Sequence, residues 1–290
     1  MIAEVLNSSY VLLAVVISFF CILMTLGICM YIKSREITAK ANVTSGVSLD
    51  IGNAQIIGTR EKQDDSFGTS IKEDCILAVV ADGIGGYING NLASRITVDT
   101  YLDEFQKNDV LNNISYFFQK AAVLSNERIR DEFGEAKGGT TVVGVVVEGN
   151  RMHWTSVGDS NIAVFRKGRL IPINRKENVK NWLEDQYFAG VIGREEAMGG
   201  PVDKRLVNYV GYDGFQKAEE SDRPIYLKKK DKILIYSDGI ETLSQIELEK
   251  ILSKGWNAQK TAQAIITEVD NKDVRSKDNA TIIVLSIRKG

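Results

Sequence analysis

The chain has 290 residues, with 36 Lys and Arg against 38 Asp and Glu, a formal charge of −2. An apolar share of 44% and a charged share of 26% describe a globular chain, not a disordered one, and the near-neutral balance lacks the basic excess of a nucleic-acid binder, so no nucleic-acid partner is expected. A single histidine, His153, excludes a His-rich zinc site, and the three cysteines, of which Cys21 and Cys29 lie in one apolar run, exclude a disulfide framework and point to a reducing compartment.

Residues 1–9 read as a short N-tail. From Tyr10 to Ile32 there are 23 residues without a charge. As a helix at 1.5 Å per residue this run is roughly 34 Å long, enough to cross the ~30 Å hydrocarbon layer. Tyr10 and Tyr31 stand at its two ends, as in an aromatic belt. The leader lacks basic residues and the apolar core is too long for a cleaved signal peptide. Lys33, Arg35 and Lys40 follow the span and no Lys or Arg precedes it, which predicts a single-pass anchor in the cell membrane with the rest of the chain in the cytoplasm. Residues 33–48 are polar without a period and read as a linker.

Residues 49–290 show no repeat and fit one domain. Apolar runs predict strands at 75–81, 140–149, 152–158, 161–168, 232–237 and 280–287. Gly149-Asn150 and Asp159-Ser160 are turn signals between the second, third and fourth of them, which therefore run antiparallel. Apolar residues at helical spacing appear at Val98–Phe105, Ile114–Ala122 and Ala258–Val269. Antiparallel strands with helices grouped between them predict an α+β fold, with the helices covering sheet faces.

The chemistry sits at strand ends. Asp82-Gly83 and Asp238-Gly239 each close an apolar strand, Asp278-Asn279 precedes another, and Asp64-Asp65 lies in a polar loop after Ile57. A strand end holds a short carboxylate rigidly toward a cleft. Such a set, without histidine or cysteine, is a hard all-oxygen donor set suited to Mg²⁺ or Mn²⁺. Two such ions can hold one water as hydroxide and clamp a phosphoryl group for in-line attack. Arg60, four residues before Asp64, has the fork geometry to bind phosphate oxygens. Each piece alone has a plain structural reading: an Asp-Gly turn, a solvated loop, a surface ion pair. Gly138-Gly139-Thr140-Thr141 looks like a phosphate cradle, and His153 reads as a packed or edge histidine.

The order of these segments resembles the metal-dependent PP2C-type (PPM) serine/threonine phosphatases of bacterial type, from about Leu49 to Arg288. The matching segments are IGTREKQDDSFG (57–68), ILAVVADGIGG (76–86), GGTTVVGVVV (138–147), HWTSVGDSNIAVFRKGRL (153–170), ILIYSDGIETL (233–243) and DNATIIVLSI (278–287), with residues 188–214 similar to the flap of bacterial members. The resemblance implies a sandwich of two antiparallel sheets flanked by helix pairs, and it places Gly138-Gly139-Thr140-Thr141 on a strand as a backbone packing motif in preference to a phosphate cradle. It implies that Asp82 bridges two metal ions (Mn²⁺ or Mg²⁺), with the Gly83 carbonyl on one of them. Asp238 and Asp278 would complete the first metal and Asp64 with Asp65 the second, partly through water, while Arg60 holds the phosphate. Asp159 and Ser160 match the place of a third, weaker metal.

Three positions depart from the family pattern. Asp64 stands where Glu is frequent, Ile84 where some members carry a His used as general acid, and Thr242 where an acidic residue is frequent, with Glu241 adjacent to replace it. The resemblance implies a phosphatase that hydrolyses phosphoserine and phosphothreonine in proteins, and the predicted span makes it membrane-anchored. Its partners would be phosphorylated proteins at the bilayer, such as a membrane-associated Ser/Thr kinase or its substrates. The competing reading is an inactive pseudophosphatase that binds phosphoproteins or serves as a scaffold.

Overall fold

The apolar runs fold as strands buried on both faces, which is why they read as continuous apolar stretches and not as alternating ones. The structure, a computed structural model, describes residues 41–42, 48–84, 89–134, 138–198 and 205–289. The predicted membrane span, Tyr10–Ile32, lies outside the described residues. Among the described residues no helix is long and apolar enough to cross a membrane.

In chain order the strands are β1 (Ala41–Asn42), β2 (Ser48–Ile56), β3 (Asp65–Lys72), β4 (Cys75–Asp82), β5 (Val142–Glu148), β6 (Arg151–Val157), β7 (Asn161–Arg166), β8 (Arg169–Pro172), β9 (Glu219–Glu220), β10 (Ile225–Tyr226), β11 (Lys232–Tyr236) and β12 (Ala280–Lys289). The helices are α1 (Gly90–Lys107), α2 (Ile114–Phe133), α3 (Val179–Phe188), α4 (Arg194–Met198), α5 (Gln245–Leu252) and α6 (Ala258–Asp270). One sheet has the order β1-β2-β12-β11-β7-β8 and the other β10-β6-β5-β4-β3, with β9 also on β6. Every pairing is antiparallel.

Strand alternation distributes the apolar residues into three layers. Ile76, Ala78 and Val80 of β4 join Val143 and Val145 of β5 in the cluster between the sheets, with Ile51, Ile233, Ile235, Ile283 and Leu285 from the other sheet. The alternate residues Leu77, Val79 and Ala81 face outward onto α1 and α2, against Tyr101, Phe105, Phe117 and Phe118. On the far side, Leu234, Tyr236, Ile282 and Val284 pack under α5 and α6, against Leu248, Ile265 and Ile266. The result is the expected α-β-β-α layering. Each such side chain contributes about 1.5–3 kcal/mol by leaving water.

Several expectations need correction. Ala41 pairs with Leu49 through a short strand, so part of the predicted linker belongs to the sheet. Asp65 opens β3 and does not sit in a loop. That edge strand, DSFGTSIK, is half-buried along most of its length and carries no apolar run to announce it. Helices α3 and α4 bury no residue at all, so no apolar stripe marks them.

Candidate active site

The register of the sheets gathers the acidic residues. Asp65, first in β3, lies opposite Asp82, last in β4. In the other sheet Tyr236 at the end of β11 pairs with Asn161 at the start of β7 and with Ile282 near the start of β12. Asp238, Asp159 and Asp278 therefore leave that sheet at one edge. Together with Asp64, Asp82 and Arg60, they line a cavity of about 160 Å³ whose wall also includes Gly83, Ile84, Thr141 and Asn279.

The two Asp-Gly pairs have a shared cause. Neither glycine has a positive φ. Each instead sits where another segment's backbone comes too close for a side chain. A Cβ on Gly83 would stand 2.3 Å from the Gly90 carbonyl oxygen, and one on Gly239 would stand 2.0 Å from that of Asn279. The glycines thus let α1 and the Asp278-Asn279 corner approach the acidic strand ends.

The backbone around Asp82 is fully held. Its N–H donates to Thr141 Oγ1 at 3.2 Å, and its carbonyl accepts from the Thr141 N–H and the Thr140 hydroxyl, both at 2.8 Å. The N–H of Gly83 donates to the Asp64 carbonyl at 3.0 Å and that of Ile84 to the Gly139 carbonyl at 3.0 Å. The Gly138–Thr141 segment is thus a backbone support, as expected.

Asn279 is the functional residue that sequence reasoning passed over. Its Oδ1 accepts from the Asp64 N–H at 2.7 Å, and its amide donates to the carbonyls of Ile57 at 2.8 Å and Lys62 at 3.0 Å. One side chain thereby ties the Arg60–Asp64 loop to the Asp278 corner. Its place beside Asp278 was the only signal.

Burial and then the crowding of carboxylates set the electrostatics. Burial, then the charges of Asp65, Asp238, Asp159 and Asp278, hold the Asp82 carboxyl well above its ordinary range. Burial and then Asp238 push Asp159 up to about 6. Burial also raises Asp65 to about 6, against the Ser237 hydroxyl, which donates to its Oδ2 at 2.7 Å. Arg60 Nη2 donates to Asp278 Oδ2 at 2.6 Å, which holds the guanidinium more firmly protonated.

Not every expected ligand reaches the cavity. Asp65 is buried behind it, with Oδ1 lacking a hydrogen-bond partner, because strand pairing opposite Asp82 carries it into the sandwich. Ser160 is fully buried and shares a 2.7 Å hydrogen bond with the Thr141 hydroxyl, which turns it away from the cavity that Asp159 lines. Glu241 is ion-paired with Lys176 and so is not free to replace the acid missing at Thr242. His153, in the middle of β6 opposite Val146, is no part of the site.

The donor chemistry fits divalent cations: five carboxylates and a strand-end glycine carbonyl, all hard oxygen, line one small cavity beside a single arginine, and burial followed by the neighbouring carboxylates raises the proton affinity of Asp82 and Asp159. Among the described residues, no three ligating side chains converge as placed on one ion position, and Asp278 is turned to Arg60.

Comparison with known proteins follows the same lines. The profile of the family described as Protein phosphatase 2C matches residues 52–269. The serine/threonine phosphatase stp of Listeria monocytogenes serotype 4b is 24% identical over 222 residues, 74% of this chain and 85% of that protein. A putative protein phosphatase 2C-type of Streptococcus pyogenes serotype M6 is 28% identical over 221 residues, 74% of this chain and 87% of its own length. Among solved structures, the serine/threonine phosphatase of S. agalactiae superposes with a TM-score of 0.71 at 24% identity, covering 82% of this chain and 98% of that one. The catalytic domain of PstP, solved with two manganese ions, superposes with a TM-score of 0.66 at 20% identity, covering 83% and 99%.

Proposed function

The chain belongs to the protein phosphatase 2C family, and from that membership and the site we propose a serine/threonine protein phosphatase that works with two divalent cations, Mn²⁺ or Mg²⁺. One observation carries the reading: the ends of both sheets deliver five carboxylates and one arginine to a single cavity of about 160 Å³. Asp82 and Asp238, with Asp278 once released from Arg60, are the side chains suited to hold one cation. Asp82, Asp64 and the Gly83 carbonyl suit the other, and Asp159 suits a third. When bound, these ions would supply Lewis acidity toward the phosphoryl oxygens and a water acidic enough to attack at neutral pH.

The chain's own groups do the rest. Arg60, half-exposed at the cavity mouth, grips the phosphoryl oxygens with its planar fork and orients the phosphorus for in-line attack. Asn279 keeps Arg60 and Asp64 in place by holding their loop at both ends. Ile84 lines the cavity where a proton donor would stand and offers none, so the departing serine or threonine oxygen takes its proton from water. No phosphoenzyme forms.

We further propose that residues 10–32 anchor the chain in the cell membrane with the phosphatase domain in the cytoplasm. The charge-free run and the basic residues after it support this reading. Substrates would then be phosphoproteins at the bilayer, including a membrane-associated kinase or its targets. Recovery of the full chain in a carbonate-resistant membrane fraction is the expected outcome, and recovery in the soluble fraction removes the anchor. The activity is tested on a phosphothreonine peptide with the full chain. Phosphate release that requires Mn²⁺ and stops with EDTA is expected, whereas peptide binding without release under all metal conditions indicates the pseudophosphatase.

A further inference from the structure

Beside the catalytic cavity lies a second, larger one of about 620 Å³. The two share a wall. Leu206 lines the first and its neighbour Val207 the second, while the Glu177 carboxylate in the second accepts the N–H of Gly158, next to Asp159 of the first. An extended peptide advances about 3.4 Å per residue, so a phosphoresidue in the first cavity brings a side chain a few positions away to the second.

The charge of this second cavity is unbalanced. Arg175, Lys176 and Lys217 face five carboxylates, those of Glu177, Asp185, Glu219, Glu220 and Asp222. Arg175 is paired with Asp185 at 2.9 Å, and Lys176 with Glu241 outside the cavity. The Glu177 carboxylate is held by Gly158 and by the Asn208 amide. Lys217 is then left with Glu219, Glu220 and Asp222, of which Glu219 also accepts the Arg175 backbone N–H. Glu220 accepts the Ser115 hydroxyl on Oε1 at 2.5 Å. Burial, and then the charge of Glu177, already raise the proton affinity of Glu219. Trp182 lines the same cavity with 49% of its surface exposed, an aromatic face of the kind that cations favour.

We propose that this cavity receives a lysine or arginine side chain of the phosphoprotein substrate and so selects phosphorylation sites with a basic residue nearby. The inference rests on the phosphatase reading of the adjacent site. It is tested with the full chain, Mn²⁺ and a set of phosphothreonine peptides in which a single Arg is moved through the positions on either side of an otherwise Ala-rich sequence. Arg at one or two positions should raise kcat/KM about threefold to tenfold over Ala, and the gain should shrink at high salt. Trp182→Ala combined with Glu219→Gln and Asp222→Asn should remove the gain and leave turnover of p-nitrophenyl phosphate, which has no peptide, unchanged.

Equal rates for all peptides, a preference for Glu, or a gain that survives the triple variant would overturn the inference. Fluorescence anisotropy of the same peptides, labelled, keeps the two readings apart. Arg-dependent binding lost in the triple variant but without phosphate release keeps the cavity and removes the phosphatase. Release with binding indifferent to Arg keeps the phosphatase and removes the cavity.

Discussion

The strand-end cavity and the segment around α3 and α4 are opposite solutions to holding a side chain. Asp82 and Asp64 hang from backbone whose own N–H and C=O groups are bonded, and β4 beneath Asp82 is buried on both faces. Helices α3 and α4 bury nothing and display Trp182, Phe188 and Met198 to solvent. The first region fixes charge to a fraction of an ångström, which phosphoryl chemistry needs. The second contributes almost nothing to stability and so is free to vary with the substrate. The contrast separates residues that perform the reaction from residues that choose what is brought to it.

Variants at the strand ends should produce the largest effects. Asp82→Asn and Asp238→Asn should each reduce phosphate release by at least about a thousandfold, in line with the several kcal/mol that a correctly held cation supplies, while thermal unfolding stays cooperative. Gly239→Ala comes next: its Cβ would press on the Asn279 carbonyl at 2.0 Å. It should lower stability by about 1–3 kcal/mol in urea titrations and disturb the Asp278 corner with it. Asn279→Ala frees the loop carrying Arg60 and Asp64. It should cost about 1–3 kcal/mol and lower kcat/KM on peptide and on p-nitrophenyl phosphate alike.

The carboxylate cluster also sets a pH dependence. Asp65 and Asp159 stand near 6 in the folded chain, against 3.8 ordinarily, so the fold binds their protons more tightly than the unfolded chain does. Their contribution is present below about pH 4 and is lost as pH rises through 6. With EDTA, this part of the stability should therefore fall between pH 4 and 6 in thermal melts. Added Mn²⁺ should restore it at the upper end, and a melting temperature insensitive to Mn²⁺ at pH 7 would break the comparison. The smallest effect belongs to the other region: Trp182→Ala should shift stability by less than about 0.5 kcal/mol.

The same contrast explains how much of the molecule was legible in its sequence. Runs such as CILAVVA and ATIIVLSI announce strands because both faces of each sheet are buried, and α6 shows its apolar stripe because Ile265, Ile266 and Val269 pack on the sheet. Asp82, Asp159, Asp238 and Asp278 were legible as chemistry because each follows or precedes such a run, and Asp64 only through its place in the order of segments. The edge strand β3 and helices α3 and α4 were not, since half-buried and exposed elements leave no periodic apolar pattern. The inward turn of Asp65 and Ser160 was not legible for a related reason: adjacency along the chain does not say which way a side chain turns, and both turn to hydroxyl partners. Asn279 went unassigned because its value lies in three contacts across more than 200 positions of sequence.

The central claim is that carboxylates from two separate sheets act as one cation site. The most direct measurement is Mn²⁺ binding to the full chain by calorimetry, with wild type beside Asp82→Asn. The account predicts two ions bound per chain in the wild type and loss of tight binding at both positions in the variant, because Asp82 serves both. Mn²⁺ binding unchanged in Asp82→Asn would contradict it.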